Sequence, residues 1–154
     1  MTQGDASRGI VREQIEIAAP PEKVFRALTD PARLAKWWGA PEKYLTQNWQ
    51  VDLRVGGRWS GDVTEGGRVT GTGHGEILEL DPPRLLVWSW NTSWDESSGS
   101  TIRYELTPTA TGTRVEVTHS GFARPELAEN YRRGWPTVLK WLVTQDPELA
   151  RFAV

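Results

Sequence analysis

The chain has 154 residues, a formal net charge of -2 and a pI near 5.7, with 38 % hydrophobic and 25 % charged residues. That balance predicts one folded domain with a single sizeable core and excludes an intrinsically disordered chain. No Lys or Arg run supplies the footprint that nucleic acid requires, and the lack of cysteine removes disulfides, zinc–thiolate sites and thiol nucleophiles while permitting a cytoplasmic location.

Residues 1–8 are small and polar and are expected to form a disordered tail. From 9 to 18, Val11, Ile15 and Ile17 alternate with Arg12, Gln14 and Glu16, which predicts a strand with one wet face. Pro20 and Pro21 end it. PPEKVFRALTD then reads as a short helix with Pro21 in its first turn, and Asp30 caps a second that runs through Leu34 to Trp37 and Trp38. Between residues 47 and 119 the chain is punctuated at hairpin intervals. Strands are expected at Asn48–Leu53, Arg58–Thr64, Arg68–Leu80, Arg84–Asn91, Ser100–Thr107 and Thr113–His119. Short turns between them demand antiparallel pairing, because parallel neighbours need a crossover of about a dozen residues. Gly71, Gly73 and Gly75 predict bends or bulges.

The last element changes period. Leu127, Tyr131, Trp135, Val138, Leu139 and Leu142 form one apolar stripe on a helix from about 125 to 144, with a bend expected near Gly134 and Pro136. Residues 147–154 are expected to be a tail, leaving 9–146 as the domain. No stretch approaches the roughly 18 consecutive apolar residues that span a bilayer, and MTQGDASRG lacks signal-peptide character, so no membrane partner is expected. The long helix alone can cover the sheet, and a twisted sheet diverges from a straight helix toward one end. The fold expected is therefore α+β, a curved antiparallel sheet around a long C-terminal helix with an apolar cavity in the gap.

Nine tryptophans stand against three Phe and three Tyr. Each brings a large apolar surface and one N–H that needs a partner when buried, which suits pocket walls as well as core. IEIAAPPEKVFRALTDPARLAKWWGAP, the DPPRLLVWSW segment, and THSGF followed by GWPTVLKWL resemble the Hsp90 ATPase activator-like family of the START-like, birch-pollen-allergen-like superfamily (SRPBCC). The resemblance runs from about residue 10 to 144. It implies a helix-grip fold in β-α-α-β6-α order, relatives that bind or sequester apolar small molecules, some cyclases and resistance proteins, and a co-chaperone linked to the stress response. The resemblance is to single-domain members of the family, which are expected to lack the separate N-terminal domain of that co-chaperone.

The ligand-binding candidates are Trp37, Trp38, Trp59, Trp88, Trp90, Tyr104, His119, Trp135 and Leu139. Trp37 and Trp38 read either as a lip over the cavity or as a plug. Trp88 and Trp90 share a strand face with Leu86, and alternation leaves open whether that face or the Leu85, Val87 and Ser89 face is inward. Tyr104 and His119 are the weak catalytic candidates, as polar handles in a pocket; the preferred reading of His119 is a hydrogen bond to nearby loop backbone. Glu13 shares parity with Ile15 and Ile17, and His74 reads as a surface residue. Two histidines without cysteine give no metal-ligand spacing, so neither metal nor cofactor is expected. The function expected is binding or sequestration of a hydrophobic, aromatic-compatible ligand. The alternatives are a cyclase- or hydrolase-type enzyme and a chaperone-interaction module, with the chain a monomer or a homodimer.

Overall fold

Hairpin-spaced alternation becomes a seven-stranded antiparallel sheet in the computed structural model, which describes residues 9–94 and 99–152. The elements are β1 (Ile10–Ile17), α1 (Pro21–Thr29), α2 (Pro31–Trp37), β2 (Leu45–Val51), β3 (Arg58–Glu65), β4 (Arg68–Asp81), β5 (Leu85–Thr92), β6 (Ser100–Pro108), β7 (Thr113–Ser120), α3 (Pro125–Gln145) and a 3-10 turn at Leu149–Phe152. The strand order is β1-β7-β6-β5-β4-β3-β2, so β1 and β2 are the edges. This is the α+β helix-grip arrangement. The tail expected over 1–8 lies outside the described residues.

Local chemistry explains the helices. Pro21 occupies the first turn of α1, where its missing N–H costs no hydrogen bond, and Val24, Phe25 and Leu28 bury one face. The Asp30 carboxylate accepts the Ala32 N–H at 3.0 Å and so starts α2. Helix α3 buries Leu127, Trp135, Val138, Leu139 and Leu142 as the stripe requires. It continues through Gly134 and Pro136 rather than ending there, although proline leaves the Arg132 carbonyl without its helical donor.

Two strands differ from expectation. β2 starts and ends earlier than Asn48–Leu53 because Asn48 takes a positive φ of 55° and opens a bulge between Gln47 and Gln50. The bulge resets the side-chain parity, so Thr46 and Trp49, three residues apart, both face inward. On β5 the open question resolves in favour of the tryptophans: Leu86, Trp88 and Trp90 point into the core. Leu85 and Val87 on the other face are also buried, beside the ion-paired Arg103, Glu79 and Glu105.

Residues 147–152 are not a tail. Leu149 is fully buried, and Asp146, also buried, accepts the Leu149 N–H at 3.0 Å. The Arg33 guanidinium binds both Asp146 oxygens, at 2.8 and 2.6 Å, and reaches Glu148 at 3.1 Å. Lys23 also pairs with Glu148. Charge on the first two helices thus ties down the turn that follows the last one, a link that hydrophobic periodicity does not encode.

Candidate functional site

The inward face of the sheet is paved with indoles. Trp59 of β3 stacks on Trp88 and Trp90 of β5 at centroid distances of 4.9 and 5.1 Å, and on Trp49 of β2 at 5.8 Å. Trp38, just after α2, stacks on Trp37 at 5.1 Å and on Trp90 at 5.7 Å, and meets Trp135 of α3 edge-on at 6.1 Å. Trp94 joins through Trp90 at 6.4 Å, so every tryptophan except Trp141 belongs to one network. Trp141 instead packs edge-on against Tyr44 at 5.5 Å.

Glycine makes this paving possible. Gly61, Gly71, Gly73 and Gly75 occupy inward positions of β3 and β4, where side chains would otherwise stand. A Cβ on Gly61 would lie 3.0 Å from the Trp49 ring, one on Gly73 3.2 Å from Trp59, and one on Gly71 2.8 Å from Trp94. Gly75 is tighter still. Its Cβ would fall 2.0 Å from the Ser89 carbonyl oxygen and 2.3 Å from the Trp59 Nε1, because that N–H crosses over the glycine to donate to Ser89 at 2.8 Å. The register shifts lie on either side, between Val63 and Thr64 and between Ile77 and Glu79. The glycines leave room for rings, and the bulges flank them.

Between this floor and α3 lies a cleft of about 560 Å³. Trp38, Trp49, Trp59, Trp90 and Trp135 wall it, Gly61, Gly71, Gly73 and Gly134 line it without side chains, and Trp94, Glu65, Thr70 and Asn130 stand exposed at its mouth. Gly134 is informative. A Cβ there would meet nothing within 4 Å, so the helix carries its least favourable residue but one at a place where the space is free. Replacing it would fill the cleft.

Of the nine sequence candidates, Trp38, Trp59, Trp90 and Trp135 line the cleft. Trp37, Trp88, Tyr104, His119 and Leu139 do not; they lie buried in the core behind it. Trp37 is a plug, its N–H donating to the Ala27 carbonyl at 2.9 Å, while Trp38 reaches the opening. The reason is helical geometry: adjacent residues point about 100° apart. Tyr104 contacts Trp88 and Trp135 edge-on, and its hydroxyl and the Trp88 N–H have no hydrogen-bond partner among the described residues. Burial pushes the Tyr104 hydroxyl well above its ordinary pKa. Glu13 is half-buried opposite Val117, and His74 is exposed.

His119 has a different task from the one expected. The Trp135 Nε1–H donates to its Nδ1 at 3.2 Å, so Nε2 carries the ring proton and donates to Ser100 Oγ at 3.0 Å. Ser100 passes the chain on to the Trp90 carbonyl at 3.1 Å. Two cleft walls, Trp135 and Trp90, are thereby fixed by one buried neutral imidazole, which desolvation holds down to about 3. Neither Tyr104 nor His119 is placed for acid–base work on a molecule in the cleft.

Several lining residues were missed by sequence reasoning. Trp49 was hidden by the bulge, Trp94 by its loop, and Tyr131, which accepts the Trp90 N–H at 3.0 Å, by its place in an apolar stripe. The only hint of the left-handed residue is that it is an asparagine, which enters that region more readily than most residues. Tyr44 also lines the cleft, its hydroxyl pushed up by burial and bonded to Trp38. Among the described residues no cluster of three metal-ligating side chains occurs and no helix is long and apolar enough to cross a membrane.

The architecture matches a known family. The model for Activator of Hsp90 ATPase homolog 1-like protein matches residues 18–144. The chain belongs to this family. No curated protein matches it. Among solved structures, protein CV1439 from Chromobacterium violaceum is 28 % identical, with a TM-score of 0.75 over 88 % of this chain and 95 % of its own. CalU16 from Micromonospora echinospora is 27 % identical, with a TM-score of 0.61 over 93 % and 78 %. The Aha1 dimer from Colwellia psychrerythraea, 23 % identical with a TM-score of 0.69 over 90 % and 96 %, shares the fold. Membership in the Hsp90 ATPase activator-like family sets the chain among ligand-binding and co-chaperone-like domains.

Proposed function

We propose that the cleft binds and sequesters a small, flat, mostly apolar molecule, and that this is the protein's main activity in the cytoplasm. One observation carries the reading: an opening of about 560 Å³ is walled by indoles and kept free by glycines on the sheet and on α3. Its size falls in the range of about 300–1,000 Å³ usual for small-molecule sites. An open apolar cleft filled only by water leaves its aromatic walls unburied, and a glycine inside a helix costs about 1 kcal/mol relative to alanine. An occupant offsets the first and gives the second a use. The indole faces favour offset stacking on a planar ring system.

Tryptophan fluorescence titrated with polycyclic aromatic and polyketide-like compounds tests the proposal. Saturable quenching is expected with at least one flat compound. Gly134→Leu, which places a side chain in the free space while improving helix propensity, is expected to weaken that binding by about tenfold or more without lowering stability. A flat response across the panel, or a Gly134→Leu variant that binds as the parent does, would overturn the reading. A role as an interaction module on a chaperone in the stress response draws its support from the family model alone.

A further inference from the structure

The charged groups on the cleft all have one sign. Its lining includes one carboxylate that faces it, that of Glu65, and no Lys, Arg or His; Asp62 also borders the cleft, but alternation on β3 turns its side chain to the face opposite inward Gly61. Asp62 accepts a hydrogen bond from the Asn48 side chain at 3.3 Å and Glu65 one from Thr70 at 3.1 Å. Neither has an ion-pair partner among the described residues, although Arg68 stands opposite Glu65 in the hairpin register. The cations nearest on α3 are engaged: Arg132 with Glu129, and Arg133 with Glu129 at 3.5 Å and with the rim residue Asn130 at 2.8 Å.

The apolar wall adds to this sign. The face of an indole carries the negative end of the ring quadrupole, and tryptophan is the best of the aromatic partners for a cation. A fatty acid or sulfonated ring system entering here would bring its negative charge toward the Glu65 carboxylate and several ring faces, with no cation in the lining to meet it. A positively charged ring system would meet both attractive features together, in a partly desolvated setting where charge interactions are strengthened.

Building on the small-molecule reading above, we infer that the cleft selects a planar aromatic cation over neutral and anionic molecules of the same shape. The aromatic walls take up the ring system, and Glu65 at the open side receives its positive charge.

Three compounds on one ring scaffold test this at pH 7.5: 10-methylacridinium as the cation, acridine as the neutral form and acridine-9-carboxylate as the anion. Isothermal titration calorimetry on the full chain should give the cation an affinity about tenfold or more above that of the anion, with the neutral compound between them. Added salt should weaken cation binding. In the Glu65→Gln variant the cation-to-anion ratio should fall by about threefold or more, whereas Asp62→Asn, on the other face of β3, should leave it unchanged, a pattern that general loosening of the cleft would not produce. If the neutral compound binds and the cation binds no better, or the Glu65→Gln variant keeps the parent ratio, charge selection is wrong while the small-molecule reading stands. If none of the three binds, both fall.

Discussion

At the level of single residues, His119 shows why a titratable side chain in a core need not be a reagent. Its imidazole accepts from Trp135 and donates to Ser100, and the first of these bonds requires the neutral ring. In the unfolded chain histidine takes up a proton near pH 6.5, whereas in the fold burial delays this to about 3. Between those values the unfolded state binds more protons, so stability falls as pH falls. The contribution of this residue is complete above about pH 7 and declines by up to ~1.4 kcal/mol per pH unit below 6.5. His119→Gln should therefore be markedly less stable than the parent at pH 7 in urea denaturation, with the gap narrowing steadily toward pH 4.5. A gap that stays constant with pH would show that the ring does not stay neutral in the fold. Sequence reasoning named His119 but not its role, because the nearness of a β6 serine and an α3 tryptophan depends on strand pairing and helix placement. Trp38, Trp59, Trp90 and Trp135, named from the sequence for their size and their single N–H, line the cleft. Their neighbours Trp37 and Trp88 carry the same signal and lie behind the wall.

Among the elements, β4 decides the shape of the site. A strand of 14 residues with glycine at three alternate inward positions presents a bare face, and the neighbouring indoles lie flat upon it. The ladder with β5 pairs His74 with Asn91 and Ile77 with Trp88. In the stretch between, Ser89 bonds to side chain and backbone instead, its carbonyl to the Trp59 indole and its hydroxyl to the Glu76 N–H at 2.8 Å. Gly75→Ala sets a methyl group against that carbonyl and must displace the Trp59 ring, so it should cost about 2–4 kcal/mol through overpacking and a lost hydrogen bond. Gly71→Ala presses only on Trp94, which is 47 % exposed and can swing aside, and should cost less than about 1 kcal/mol. Urea melts of the two variants check the order; equal losses would mean that the glycines serve strand bending rather than ring packing. The sequence announced irregularity on β4 through these glycines, but the partner that fills each gap comes from another strand.

For the molecule as a whole, alternation and the α3 stripe were enough to read the sheet, the helix and the gap between them, since each follows from the burial of one face. What stayed illegible was the closure of the C-terminus, because an ion pair between residues more than a hundred positions apart has no period. Asp146 is wholly buried and Arg33 nearly so, and they meet in a two-pronged contact. Arg33→Ala leaves the buried carboxylate without its cation, held by backbone N–H groups alone, and should cost ~3–5 kcal/mol, whereas Glu148→Gln, at a more open position, should cost under about 1 kcal/mol. Chemical denaturation of both variants provides the check, and a small loss for Arg33→Ala would mean that the final turn stays docked through Leu149 alone. The bulge at Asn48 reaches further than the inward turn of Trp49. β2 is an outer strand whose free backbone groups could template the addition of a foreign chain, yet its left-handed residue interrupts the regular spacing of those groups midway. An incoming strand could match only a few residues before losing step, so the irregularity that brings an aromatic wall into place also guards the protein against end-on polymerisation when it is concentrated.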